Sequence, residues 1–195
     1  MQRHAWRMDI KETLRDGLRL MRSDLLAKLD GLSEYDMRRP MTDTGTNLLG
    51  LVKHVASVEL GYFTDVFGRP GRQLAWYADD AEEEADMWAA PEESSESIIE
   101  LHHFSAEKTD ETIDALELDS PAYVPWWTPE RRHTNLGKLL VHMTRETARH
   151  AGHADIIREL IDGQAGLRAG DPNIRDRDWA EHRARLEAAA ATFQR

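Results

Sequence analysis

A long helical repeat in the second half of the chain constrains the fold more than any other feature. Within residues 134–161, aliphatic side chains recur at alternating steps of three and four, which places them along one side of an α-helix. A seam of this kind packs against neighbouring helices in a bundle. Its middle is polar, however, because His142, Glu146, His150 and His153 occupy that side. The chain is therefore predicted to bury a helix that carries a cluster of ionisable groups.

Three earlier segments also have apolar residues at helical spacing, and together with this helix they make a four-helix bundle. They cover residues 9–32, 47–67 and 94–118. Thr46 and Thr134 are the predicted N-caps of the second and fourth helices, since a threonine hydroxyl can accept a free backbone N–H at a helix start. No internal repeat and no alternating strand pattern is evident. The predicted fold class is therefore all-α.

The predicted domain boundary follows residue 163. Residues 1–163 form the bundle, and residues 164–195 form a linker and an accessory C-terminal helix that packs on the bundle or on a partner subunit. Because this last helix has an apolar face, and bundles of this kind often pair, a homodimer is expected.

Composition excludes several functional classes. The chain of 195 residues has a formal net charge of −11 and no cysteine. The acidic balance predicts neither nucleic acid nor an anionic membrane as a partner, and the lack of cysteine excludes disulfides, thiolate ligands and a cysteine nucleophile. No apolar run is long enough to span a bilayer, and residues 1–10 lack the apolar segment of a secretory signal. A cytoplasmic location is expected.

Two stretches between the helices have less regular patterns. Residues 119–133 contain three prolines, so the chain should not be helical there. Trp126 and Trp127 in this stretch should fold over the bundle end, either as a structural plug or as the wall of a pocket. The acidic run of residues 79–86 is predicted to be a solvated surface. His102 and the histidine after it are predicted to be peripheral, although His102 could approach the core.

The polar cluster of the fourth helix favours a metal site over a buried network without metal. Glu146 and His150 are four residues apart, a good spacing for two ligands of one ion, whereas His142 lies about 12 Å from His150 along the helix axis and is too far. His150 with His153 is a competing pair, which would leave Glu146 to orient a ligand or act as a base. His54, at the border of the apolar stripe of the second helix, is a suitable third ligand. Mixed nitrogen and oxygen ligands suit zinc, nickel or iron(II).

Three segments carry a resemblance to a known family. They are TGTNLLGLVKHVASVELGYFTDVFGRP (44–70), PWWTPERRHTNLGKLLVHM (125–143) and ETARHAGHADIIRELIDG (146–163). They resemble the DinB-like four-helix-bundle superfamily, specifically its DUF664 branch, and the likeness extends over residues 9–163. The resemblance implies an up-down-down-up bundle that holds a divalent metal with one ligand from the second helix and two from the fourth.

Carried onto this chain, the resemblance gives His54, Glu146 and His150 as the metal ligands. Many members have histidine where this chain has Glu146, but the metal-binding domain of mycothiol-dependent maleylpyruvate isomerase is similar in using His, Glu and His. His153 then lies beside the ligands and is the candidate catalytic residue, and either His153 or His142 would support a ligand or carry a proton. Trp126 and Trp127 are the candidate residues that bind the cofactor.

The function that the resemblance implies is transfer of a low-molecular-weight thiol, such as mycothiol or bacillithiol, to a small electrophilic molecule. Zinc is the expected metal. A metal would activate the thiol as nucleophile, which would explain why the chain needs no cysteine. Isomerase activity is not expected, because that branch uses an added C-terminal domain. Two alternatives remain: a metal-dependent hydrolase that activates water, and a non-enzymatic metal-binding or stress-associated protein.

Overall fold

The computed structural model of the protein describes residues 9–168, 170–171 and 173–194. Its helices and strands, in chain order, are α1 (Ile10–Leu26), α2 (Glu34–Arg38), α3 (Leu48–Phe63), α4 (Ser95–Ala115), β1 (Pro121–Tyr123), β2 (His133–Asn135), α5 (Leu136–Asp162) and α6 (Trp179–Ala191). The long helices α1, α3, α4 and α5 form the bundle. The predicted all-α class with an extra C-terminal helix is confirmed.

Contacts between side chains fix the direction of each bundle helix. Helices α1 and α4 are antiparallel, since early residues of α1 pair with late residues of α4: Arg15 with Asp114, and Arg19 with Asp110. Helices α1 and α5 are parallel, with Gly17 near Thr144 and Lys28 paired with Asp155. Helices α3 and α4 are parallel, since Lys53 early in α3 pairs with Glu93 just before α4, and the Thr112 hydroxyl late in α4 donates to the Phe63 carbonyl at the end of α3. The bundle therefore has the predicted up-down-down-up topology.

The aliphatic ends of the seam on α5 lie in the core, as the repeat predicts. Leu136, Leu140 and Met143 are fully buried at one end, and Ala154 and Ile157 at the other. Burial of a large aliphatic side chain contributes about 1.5–3 kcal/mol. Packing at both ends therefore holds the polar middle of α5 at a fixed height against α3.

Asparagines, not the predicted threonines, cap α3 and α5. The Asn47 side chain accepts the Gly50 backbone N–H at 2.8 Å, and the Asn135 side chain accepts the Lys138 N–H at 2.9 Å. The prediction of Thr46 and Thr134 was wrong by one residue in each case. Asparagine ranks above threonine as a cap, and Thr134 belongs to β2.

The segment between α4 and α5 contains a small sheet that was not predicted. Strands β1 and β2 are antiparallel, with Ala122 opposite Thr134. Three-residue strands are too short to show an alternating pattern, which is why the sequence did not reveal them. The chain between the strands holds Trp126 and Trp127, so this pair is placed by a hairpin rather than by an irregular loop.

The chain after α5 first contacts the bundle and then leaves it. The Lys28 ammonium donates to the Gly166 carbonyl at 2.7 Å, and Arg168 pairs with Asp24. Helix α6 has no buried residue, so the described structure does not show it packed on the bundle, and its packing on the bundle or on a partner subunit stays a prediction. The domain boundary after residue 163 stays a prediction, as does a partner subunit. Residues 1–10 were expected not to form a secretory signal. Residues 1–8 of this segment lie outside the described residues.

None of the described helices is at once long enough and apolar enough to cross a membrane.

Candidate metal centre

The structure brings His54, Glu146 and His150 together between α3 and α5. The two helices are antiparallel, so that His54 on α3 faces Glu146 and His150, one turn apart on α5. His54 Nε2 lies 3.8 Å from Glu146 Oε1, and His150 Nε2 lies 3.1 Å from the same oxygen. One atom from each residue lies within 4.8 Å of the others. The three side chains that were predicted as ligands could therefore hold one metal ion.

Asp86 orients the His54 ring. His54 Nδ1 is 2.7 Å from Asp86 Oδ2, and the Tyr77 hydroxyl donates to the same oxygen at 3.0 Å. A carboxylate at this distance keeps the proton on Nδ1, which leaves the Nε2 lone pair directed at Glu146. Carboxylate–histidine pairs of this kind are the usual support of a metal-binding histidine. Asp86 therefore holds the His54 ring in an orientation that suits a metal ligand.

A short helical turn at Ala85–Met87 carries Asp86 and packs against α3. Lys53, next to His54, donates its ammonium to the Ala85 carbonyl at 2.7 Å. Gly50 lets the turn approach, because a Cβ at this position would lie 1.8 Å from the Met87 carbonyl oxygen. The position of Asp86 thus depends on Gly50, which lies one turn before His54 on α3.

The electrostatics of the centre favour the forms that bind a cation. Burial, together with the nearby His54, lowers the pKa of His150, so its ring is neutral at neutral pH. Burial alone would raise the pKa of Glu146, but the hydrogen bond with His150 and the electrostatic interaction with the nearby His150 and His54 rings hold it below its ordinary value. A neutral imidazole and an ionised carboxylate are the ligand forms of these groups.

The donor set fits a divalent metal and leaves coordination positions open. His150 Nδ1 is buried and has no hydrogen-bond partner among the described residues, so protein groups alone do not satisfy the cluster. Two nitrogens and one oxygen suit zinc and its transition-metal neighbours. Three protein ligands are typical of a site where a further molecule binds.

His153 and His142 lie outside this group. The His153 ring centroid is 5.4 Å from that of His150, and the side chain is exposed. The predicted competing pair of His150 and His153 is therefore less compact than the set that contains Glu146 and His54. A catalytic role of His153 stays a prediction.

A second polar group lies further along the interface between α3 and α5, where these two helices meet the hairpin. The Tyr62 hydroxyl accepts from the Trp127 indole at 2.8 Å and from the Trp126 indole at 3.4 Å, and it lies 3.2 Å from His142 Nε2. Both tryptophans are therefore tied to α3 through one hydroxyl. This contact places Trp127 beside His142, one helical turn from Glu146.

Three important positions were not recognised in the sequence. Asp86 was assigned to a solvated surface, yet its side chain is only 13% exposed. His102 was predicted to be peripheral, but it is buried and both of its nitrogens lack partners within the described structure. Tyr62 was taken as an ordinary apolar residue of the helix. Of the three, only His102 gave a signal, as a histidine that could approach the core.

Comparisons with known proteins agree with this fold. The crystal structure of a conserved protein from Enterococcus faecalis is similar, with a TM-score of 0.57 and 16% identity, covering 80% of this chain and 99% of that chain. At this identity the likeness concerns the fold alone. No curated protein matches the chain. The family model described as mycothiol-S-transferase matches residues 13–163, from α1 to the residue after α5. The chain therefore belongs to the mycothiol-S-transferase family, within the DinB-like superfamily.

Proposed function

We propose that the protein is a metal-dependent S-transferase that joins a low-molecular-weight thiol of the mycothiol type to a small electrophile. The observation that carries this proposal is the cluster of His54, Glu146 and His150, supported by Asp86, in a chain of this family. The set of two imidazoles and a carboxylate is also the basis of the proposed similarity to the isomerase metal-binding domain, whereas the proposed place in the DUF664 branch rests on the segments 44–70, 125–143 and 146–163.

In this proposal, His54 and His150 each supply a nitrogen and Glu146 supplies an oxygen to a divalent ion, which we take to be zinc. The bound ion would supply positive charge that lowers the pKa of the thiol and favours its thiolate. Asp86 keeps the Nε2 lone pair of His54 directed inward throughout the reaction. Since the nucleophilic sulfur belongs to the cofactor, the chain needs no cysteine of its own.

The group transfer itself forms a bond between the thiol sulfur and an electrophilic carbon of the acceptor. The thiol proton leaves to a base, and the acceptor loses its leaving group with the bonding electrons. His153, exposed and beside His150, is the proposed carrier of that proton to solvent. Trp126 and Trp127 are the proposed wall against which the thiol cofactor or the acceptor packs. A cytoplasmic location and a homodimer also belong to this proposal.

The test is conjugation of mycothiol with monochlorobimane, in which chloride leaves and a fluorescent thioether forms. Wild-type protein should accelerate the reaction, and the His54→Ala and His150→Ala variants should not. His103→Ala is the matched control, because His103 is exposed on α4. Circular dichroism should show folded protein in each case.

Three results would contradict the proposal. Wild-type protein that does not accelerate conjugation, or ligand variants that conjugate as fast as wild type, would exclude the transferase reaction at this centre. Metal-dependent hydrolysis of ester substrates without added thiol would instead identify the hydrolase alternative.

A further inference from the structure

A small cavity of about 250 Å³ lies between the hairpin and α5, within one helical turn of the candidate metal centre. The hairpin between β1 and β2 forms one wall, and the first half of α5 forms the other. The residues that matter for its chemistry are Trp127, Glu130, Arg131, Lys138, His142 and Arg145. None of them is among the candidate metal ligands, so the cavity is distinct from the centre.

The lining carries an excess of positive charge. It has three cations, Arg131, Lys138 and Arg145, against one carboxylate, Glu130. None of the three cations has a carboxylate within 4 Å in the part of the chain that the structure describes, since no ion pair of theirs occurs there. Such a cluster is unexpected in a chain with a formal net charge of −11, because unpaired like charges repel one another.

Another arginine-rich cavity shows what a balanced one looks like. Around the start of α6, three arginines line a cavity together with three acidic residues: Arg175, Arg177, Arg185, Asp176, Asp178 and Glu181. There the charges cancel. The cavity beside the metal centre lacks this compensation, because three exposed cations line it together with one carboxylate.

The cavity is close enough to the centre for one small molecule to reach both. Lys138, His142 and Arg145 follow one another at steps of four and three on α5, so they share one side of the helix. Glu146 lies one turn beyond His142, about 6 Å further along the helix axis. His142 lines the cavity and lies one helical turn before Glu146, so the cavity adjoins the ligand cluster along α5.

The cations of the lining include two arginines, whose side chains suit the binding of an oxyanion. The Arg131 guanidinium lies over the Trp127 ring, 5.1 Å from its centroid, which restricts the orientation of its donors. A planar guanidinium matches the two oxygens of a carboxylate or a phosphate, and Lys138 adds a point charge. The indole of Trp127 offers an apolar surface to the rest of the ligand.

We propose that this cavity is an anion subsite, which binds the carboxylate or phosphate group of a small substrate whose other end reacts at the neighbouring centre. The binding itself does not depend on the transferase reaction, but its catalytic role rests on the function proposed above. It predicts that the acceptor or the thiol conjugate is an organic anion.

The probes are benzoate and phenyl phosphate, titrated into the full-length protein by isothermal titration calorimetry, with benzamide as the uncharged counterpart. The wild type should bind at least one of the two anions, and benzamide should not bind. In the Arg131→Gln, Arg145→Gln double variant, affinity for that anion should fall about tenfold or more, because charge-assisted hydrogen bonds are lost. Arg183→Gln, at an exposed arginine of α6, should bind like wild type.

A His54→Ala variant separates the cavity from the metal. It should keep the anion affinity of the wild type, because His54 does not line the cavity. Loss of anion binding in this variant, unchanged affinity in the double arginine variant, or no binding of either anion to the wild type would each overturn the subsite. These outcomes leave the bimane conjugation assay untouched, so a failure of the subsite is distinguishable from a failure of the transferase proposal.

Discussion

Replacement of Asp86 by asparagine tests whether this carboxylate supports His54 as a metal ligand. The variant keeps the shape of the side chain and an oxygen that can accept from His54, but it removes the negative charge 2.7 Å from His54 Nδ1. That charge is poorly solvated, since the Asp86 side chain is 13% exposed, so its effect on the imidazole is only weakly screened. Loss of a supporting carboxylate of this kind typically weakens metal binding by about 10- to 100-fold.

In free energy this loss corresponds to about 1.4 to 2.8 kcal/mol of metal binding. The assay is zinc affinity measured by competition with a chromophoric chelator. Tyr77→Phe removes only a donor to Asp86, so it should weaken binding less than Asp86→Asn. Asp80→Asn, at an exposed position of the same acidic run, should have no effect. If Asp86→Asn binds zinc as tightly as wild type, Asp86 does not support a metal ligand and this account of the centre is incorrect.

Two further predictions concern stability. Burial, with a contribution from the nearby Arg22, lowers the pKa of His102 to about 4 from the ordinary value of 6.5. Because the unfolded chain then takes up the proton more readily, stability should be fully present above pH 6.5 and should fall by about 3 kcal/mol as the pH drops to 4. The free energy of unfolding of His102→Leu, measured with urea, should therefore fall by about 3 kcal/mol less than that of the wild type over the same pH range. Equal losses in both proteins would contradict a buried neutral histidine. Gly50→Ala should destabilise the fold by about 1–3 kcal/mol and also weaken zinc binding, because its Cβ would displace the Met87 carbonyl and the turn that carries Asp86. Gly17→Ala, where the nearest atom is 3.9 Å away, is the control, and a Gly50→Ala protein that matched it would contradict the close approach of the turn.

The sequence predicted the helices and the ligand cluster because both follow from a regular spacing. Glu146 and His150 interrupt an apolar seam on one helix face, and His54 borders the stripe of another helix, so the periodicity indicated that they face inward. The choice of these three as ligands, over the pair of His150 and His153, came from the resemblance to the DinB-like superfamily. The same reasoning could not find Asp86. It lies in an irregular segment, where no period tells which residue turns inward, and it is surrounded by other acids that look the same in sequence.

The cavity lined by Arg131, Lys138 and Arg145 could not be predicted from the sequence, for a related reason. Arg131 belongs to the hairpin, whereas Lys138 and Arg145 are separate exposed charges on α5, and each has an ordinary polar position when read alone. Only the β1–β2 pairing brings the hairpin back against α5. Strands of three residues are too short for this pairing to be predicted from the sequence. Tertiary contacts of this kind depend on the turn and not on local propensity.

The central claim is that His54, Glu146 and His150 hold a divalent metal ion. The most direct measurement is the metal content of protein purified without added metal, determined by mass spectrometry for wild type, a His54→Ala, His150→Ala double variant, and His142→Ala. The account predicts one transition-metal ion per wild-type chain, none in the double variant, and a full complement in His142→Ala, since His142 lies about 12 Å from His150 along α5. Equal, negligible metal in wild type and the double variant would contradict it.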